Sequence, residues 1–188
     1  MAFKTFADGV ALPAADLNTY LAKQAVIVCT AGTRPASPIE GMTIYETDTD
    51  GYLLYNGTAW LRTTPISASV ATSETTTSAT FVDLATSGPA VTLTTGTVAL
   101  VTLSCMSNSS GAFVPSMAAA VSGATTLAAS TTNAVSHGAG AVNIGISRTF
   151  RISGLTAGSN TFTAKYTAGA GGTGTFYNRD ITVTGLPA

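Results

Sequence analysis

Residues 33–60 read TRPASPIEGMTIYETDTDGYLLYNGTAW: two glycine turns punctuate three short runs of aromatic and β-branched residues. Asp50-Gly51 and Asn56-Gly57 tolerate the positive φ that tight hairpin turns require, and each lies between runs that pack well on a pleated surface. The stretch predicts a β-meander with strands over 42–48, 52–55 and 58–62. Its middle strand is short, so the unit buries little alone and needs a partner surface.

Upstream, 2–12 form an apolar lead-in. Pro13 opens a helix over 14–24, since proline is tolerated where the first-turn N–H has no partner anyway. Leu17, Tyr20, Leu21 and Gln24 fall on one face at i, i+3, i+4, i+7 spacing. A helix this short is marginal in water, so that face is the candidate anchoring or oligomer contact. The β-branched run 25–30 and the extended, proline-containing 32–38 lead into the meander.

Downstream, 63–79 (TTPISASVATSETTTSA) reads as a Ser/Thr-rich linker or an extended strand along a neighbour. From Thr80 the pattern is all β. Residues 98–105 are apolar on both faces, as in a central sandwich strand. Further strands are expected over 81–85, 90–94, 116–122, 144–153, 160–168 and 173–184. Short strands at this spacing indicate an antiparallel, jelly-roll-like sandwich. The expected organisation is an attachment module (1–62), the linker or strand (63–79) and a sandwich (80–188), mainly β with one short helix.

Composition narrows the function. Charged residues are 9% of the 188, against about 25% in ordinary domains, and ten of the seventeen charges lie in 1–62. A net charge of −1 supplies no field to draw nucleic acid or anionic lipid, so neither partner is expected. A β-rich body with so few charges leaves uncharged surface and strand edges, which homo-oligomerisation covers. No stretch reaches 18 apolar residues, and the N-terminus shows no leader pattern. Asn56-Gly57-Thr58 and Asn108-Ser109-Ser110 match the glycosylation pattern, read as coincidence without a leader.

No reaction centre emerges, so no catalytic residue, cofactor or metal is assigned. His137, the single histidine, follows Ser136 in a loop, but a nucleophile needs an oriented base and an oxyanion site. Glu46, Asp48 and Asp50 are the nearest approach to paired acids for glycan hydrolysis, with turn and solvated-edge roles preferred. DTDG lacks the later ligands of a calcium loop. The glycines of 168–174 make a hairpin tip, without a following helix to cradle phosphate. Cys29 and Cys105 read as buried free thiols, the alternative being a disulfide between the halves. Tyr45, Tyr52, Tyr55 and Trp60 are the candidate packing or ligand aromatics, either pairing across strands or forming a sugar-stacking platform. Phe176, Tyr177 and Arg179 form a second patch, read mostly as core.

The run from 6 to 60, with its ADLNTYL, TRPASP, EGMTIYETDT and YNGTAW pieces in order, resembles the head of tailed-bacteriophage virion proteins, particularly tail-associated and fibre-like proteins of phages infecting actinobacteria. GPAVTL, SGLTAGSNTFTAKY and FYNRDITV look like the sandwich that accompanies such heads. The resemblance implies a non-enzymatic, homotrimeric virion component. Its front third would mount on other virion proteins, and its sandwich would face outward, where a host-surface glycan is a conceivable contact. A minor tail or tail-fibre role is preferred. The alternatives are a capsid decoration or head fibre, and a carbohydrate-binding module.

Overall fold

The computed structural model describes residues 9, 11, 13–16, 25–138 and 140–186. The chain divides into two compact units, Met1–Thr64 and Pro65–Ala188. In the first, Pro13 precedes a single helical turn, α1 (Ala14–Asp16), closed by Asp16 N–H donating to the Pro13 carbonyl at 3.0 Å. The rest of the expected helix, with Leu17, Tyr20, Leu21 and Gln24, lies outside the described residues.

Four strands follow: β1 (Ile27–Cys29), β2 (Thr43–Glu46), β3 (Gly51–Tyr55) and β4 (Trp60–Arg62), adjacent in that order. The last three are the antiparallel meander. The run 25–30 adds β1 parallel to β2, because the long proline-containing connection 30–42 carries the chain back to the same end, as a parallel pair requires. Both hairpin loops are longer than two residues. Glu46 pairs with Gly51, and in the loop between them Asp50 takes the left-handed backbone with φ 47°. Gly51 itself is needed for room: a Cβ there would sit 2.6 Å from the Arg62 guanidinium carbon. At the second turn Gly57 has φ 89°, and the Asn56 side-chain oxygen accepts from the Thr58 and Ala59 amides, an Asx turn.

Among its described residues the second unit contains nine strands: β5 (Ile66–Val70), β6 (Glu74–Thr76), β7 (Ala90–Thr95), β8 (Val98–Ser109), β9 (Ser116–Gly123), β10 (Ala134–Ser136), β11 (Ile144–Ser153), β12 (Gly158–Thr167) and β13 (Gly174–Leu186). Their pairing nests from the ends inward. β5 pairs with β13, β7 with β12, β8 with β11 and β9 with β10, all antiparallel. Two further pairings, β8 with β13 and β9 with β12, join these into sheets of order β11-β8-β13-β5 and β10-β9-β12-β7. Successive pairs thus alternate between a four-stranded and a five-stranded sheet, the arrangement of an antiparallel β-sandwich. β6 extends the outer edge, pairing with the start of β13 as β5 does with a later part.

One core fills the space between the sheets, built from alternate residues such as Val91, Leu103, Phe162, Tyr166, Ile181 and Val183. β8 is central in its sheet, but only one face is core. Ala99, Val101, Leu103 and Cys105 are buried, whereas Leu100 is 38% exposed and Thr102, Ser104 and Met106 are half-buried. The expectation of two buried faces is corrected: Leu100 belongs to the outward face. The expected strand at 81–85 reduces to one bridge, Val82 with Tyr166. Conversely, 66–70 and 74–76 are strands at the edge of the β11-β8-β13-β5 sheet.

Candidate functional site

The first unit places the candidate aromatics in two cross-strand pairs. Tyr45 stands directly opposite Tyr52, ring centroids 5.0 Å apart. Tyr55 stands opposite Trp60, at 5.3 Å. Tyr52 and Tyr55 are an odd number of positions apart on one strand, so the pairs occupy opposite faces. The four rings therefore form no single platform. The Tyr55–Trp60 pair shares its face with buried Ile44 and Leu53. The other pair continues into Val28, which is opposite Tyr45 in the parallel ladder.

Leu61, on that second face, is 0% exposed, but the part nearest β1 is open. Val28 is 67% exposed, Val26 51% and Tyr52 46%. β1 ends the sheet, and no strand among the described residues pairs with its far side. A short apolar strip thus borders a row of backbone donors and acceptors, the combination through which one chain adheres to another. The Tyr45 hydroxyl donates to Asp50 at 3.1 Å, and this bond with the carboxylate's charge raises the phenol's pKa.

The three acids of the meander are separated by their duties. Asp48 accepts from the Ala31 amide at 3.1 Å, and Asp50 holds Tyr45. Glu46 corrects the solvated-edge expectation: it is 1% exposed, paired with Arg34 and bonded by the Thr49 hydroxyl at 3.0 Å. Each carboxylate already has a structural partner. Among the described residues no three His, Cys, Asp or Glu side chains form a group able to hold a metal ion.

In the second unit, the His137 ring Nδ1 contacts the adjacent Gly138 carbonyl and is half-buried. Both cysteines are free. Cys105 is buried, and burial pushes its thiol up to about 12. Cys29 is only partly buried, which corrects the buried-thiol expectation for that residue. Its pKa is also raised, by desolvation and then by the Glu46 charge.

The patch on β13 divides. Phe176 is core and Tyr177 is half-buried, whereas Arg179 is fully buried. The register shifts between Tyr177 and Asp180, and Asn178 takes φ 48°. This bulge re-aims the following side chain, as extra residues in a ladder do. Inside, the guanidinium lies 3.2 Å from Glu74, 5.3 Å from the Tyr166 ring centre and 3.3 Å from the Thr86 carbonyl. Glu74 accepts from the Thr86 hydroxyl at 2.6 Å and its amide at 2.9 Å. The hydroxyl bond, then the amide and Arg179, hold its carboxyl below the ordinary range against a desolvation effect of opposite sign. Sequence reading missed this cluster, because nothing local marks the bulge that turns Arg179 inward.

The chain matches no family model, and no curated protein matches it.

Proposed function

We propose that the chain is a non-enzymatic structural component of a tailed-phage virion, a minor tail or fibre-like homotrimer. Met1–Thr64 mounts it on other virion proteins, and Pro65–Ala188 is displayed outward toward the host surface. The observation that carries this reading is the β1 edge, which no strand among the described residues pairs, with its exposed strip of Val26, Val28 and Tyr52. Apolar groups beside unpaired backbone are a liability in a free monomer and an asset in an assembly. The resemblance of 6–60 to the heads of tailed-phage virion proteins supplies the kind of assembly.

The test is a phage carrying Val28→Glu together with Tyr52→Glu. Neither residue is core, so the variant protein should accumulate folded in the lysate and be missing from purified particles. Wild-type incorporation of the double variant would refute the anchoring surface. Removal of residues 1–24 should likewise abolish incorporation.

A further inference from the structure

The β11-β8-β13-β5 sheet ends in two bare edges. Among the described residues, the β11 backbone pairs only with β8 and the β5 backbone only with β13. Each edge therefore turns a row of N–H and C=O groups away from its own sheet, a surface that monomeric proteins blunt with charge, proline or a bulge. β5 reads ISASV and carries none of these over its five residues. β11 runs for ten residues and pairs with β8 without a register shift. Of its two arginines, Arg148 is turned back to the Thr132 and Ala134 carbonyls at 3.0 and 2.6 Å.

The two edges complement each other. Directions alternate across the sheet, so β11 and β5, at opposite ends of the order β11-β8-β13-β5, run oppositely. Rotation about an axis along the strands therefore sets β11 of one copy beside β5 of the next as an antiparallel pair, with their outward faces continuous. One register matches like with like. With Thr149 opposite Ser67, Phe150 meets Ile66 and Ile146 meets Val70 on the core side, while Ser147 meets Ser69 on the outward side. Ile66 and Ile146 pack against the core yet stay only partly buried, and the four hydroxyl residues are exposed. Arg148 then faces Ala68, and Arg151 falls beyond the end of β5. A shift of two residues either way sets Arg148 against Ile66 or Val70, and a slip of one exchanges the faces. The same register prolongs a row of hydroxyls. Thr149 bonds Thr102 at 2.8 Å, Thr102 lies opposite Thr182, and Thr182 bonds Ser67 at 2.8 Å, so the row crosses the sheet from edge to edge.

From this geometry we infer that the partner of this sheet is a second copy of the chain, β11 of one subunit adding head to tail to β5 of the next. Pairing like edges, β11 with β11 or β5 with β5, leaves the other edge bare. The head-to-tail contact covers both, and three copies close it into a ring. The number three rests on reading the chain as a homotrimer, and the junction gives that trimer its contact surface.

The experiment is disulfide trapping in the full-length protein, with Cys29→Ser as background because Cys29 is only partly buried. Within one copy, positions 67 and 149 stand three strand spacings apart, about 14 Å, beyond the roughly 7 Å that a disulfide can bridge. Ser67→Cys combined with Thr149→Cys should therefore give a covalent trimer on a non-reducing gel after oxidation, and each single variant should stay monomeric. A double variant that forms no covalent trimer, or covalent dimers from either single variant, would overturn the inference. Ser69→Glu with Ser147→Glu provides an independent check, since like charges directly opposite repel. Sedimentation should shift from trimer to monomer in that variant and return to trimer in Ser69→Glu with Ser147→Lys. A trimer undisturbed by the two glutamates would place the contact elsewhere and overturn the junction while leaving the homotrimer reading intact; a wild-type monomer would instead defeat that reading itself. All four positions are exposed, so the variants keep the fold.

Discussion

Arg179 holds a permanent charge inside the β-sandwich, tolerated because Glu74, the Tyr166 ring and the Thr86 carbonyl surround it. Breaking such a pair from one side leaves an uncompensated buried charge, so Glu74→Gln should lower the melting temperature at neutral pH. The acid dependence has a fixed sign. Glu74 titrates lower folded than unfolded, so its contribution is fully present above the unfolded value of about 4.3. It is lost as pH falls through the folded value. Melting curves of wild type and Glu74→Gln should therefore converge on acidification, and a constant gap would refute the assignment. Cys105 offers a second test. With its thiol raised to about 12 by burial, it should resist alkylation in the folded protein and react only in denaturant, while partly exposed Cys29 reacts first at alkaline pH. Peptide mass spectrometry separates the two; early labelling of Cys105 would contradict its placement.

At the scale of elements, β12 is the strand on which its sheet depends, held between β7 and β9. Phe162→Ala should cost about 3–5 kcal/mol in chemical denaturation, the usual range for a buried phenylalanine, since Phe162 is 0% exposed. A loss below about 1 kcal/mol would mean the site collapses or is not core. Where β9 meets β12, Gly123 has φ 102° and a Cβ there would stand 2.4 Å from the Ser159 carbonyl. Gly123→Ala should cost about 1–3 kcal/mol from backbone strain alone.

The long strands were readable in advance because alternation over many residues is a strong local signal. β11 occupies Ile144–Ser153, the bounds expected from its pattern. β6 and β10 are three residues each and owe their existence to neighbours, Glu74–Thr76 lying in a Ser/Thr tract with no alternation of its own. Phe81–Ala85 had the pattern of a strand, yet only Val82 finds a partner. The meander's turns were legible and their geometry was not. Gly51 looked like a positive-φ residue and instead makes space for Arg62, a contact eleven positions away in the chain. Likewise, Asp83 meets Lys165 through strand register, a relation that no spacing in the sequence reveals.

For the whole molecule, the surface charge is sparse by design of the fold as well as by composition. Of the charged side chains in Pro65–Ala188, Arg179 and Glu74 are committed to each other, Lys165 to Asp83, and Arg148 to the Thr132 and Ala134 carbonyls. Such a body has little charge to keep copies apart. Sedimentation velocity on the full-length protein should accordingly give a trimer, and a monomer across the accessible concentrations would count against the oligomer. The central claim, that this chain is built into a virion, is tested most directly by immunogold electron microscopy of purified particles with an antibody raised against Pro65–Ala188. Gold should decorate the particles, at the tail or its tip for the preferred role and over the shell for a decoration or head fibre. Bare particles, with the protein left entirely in the particle-free lysate, would contradict it.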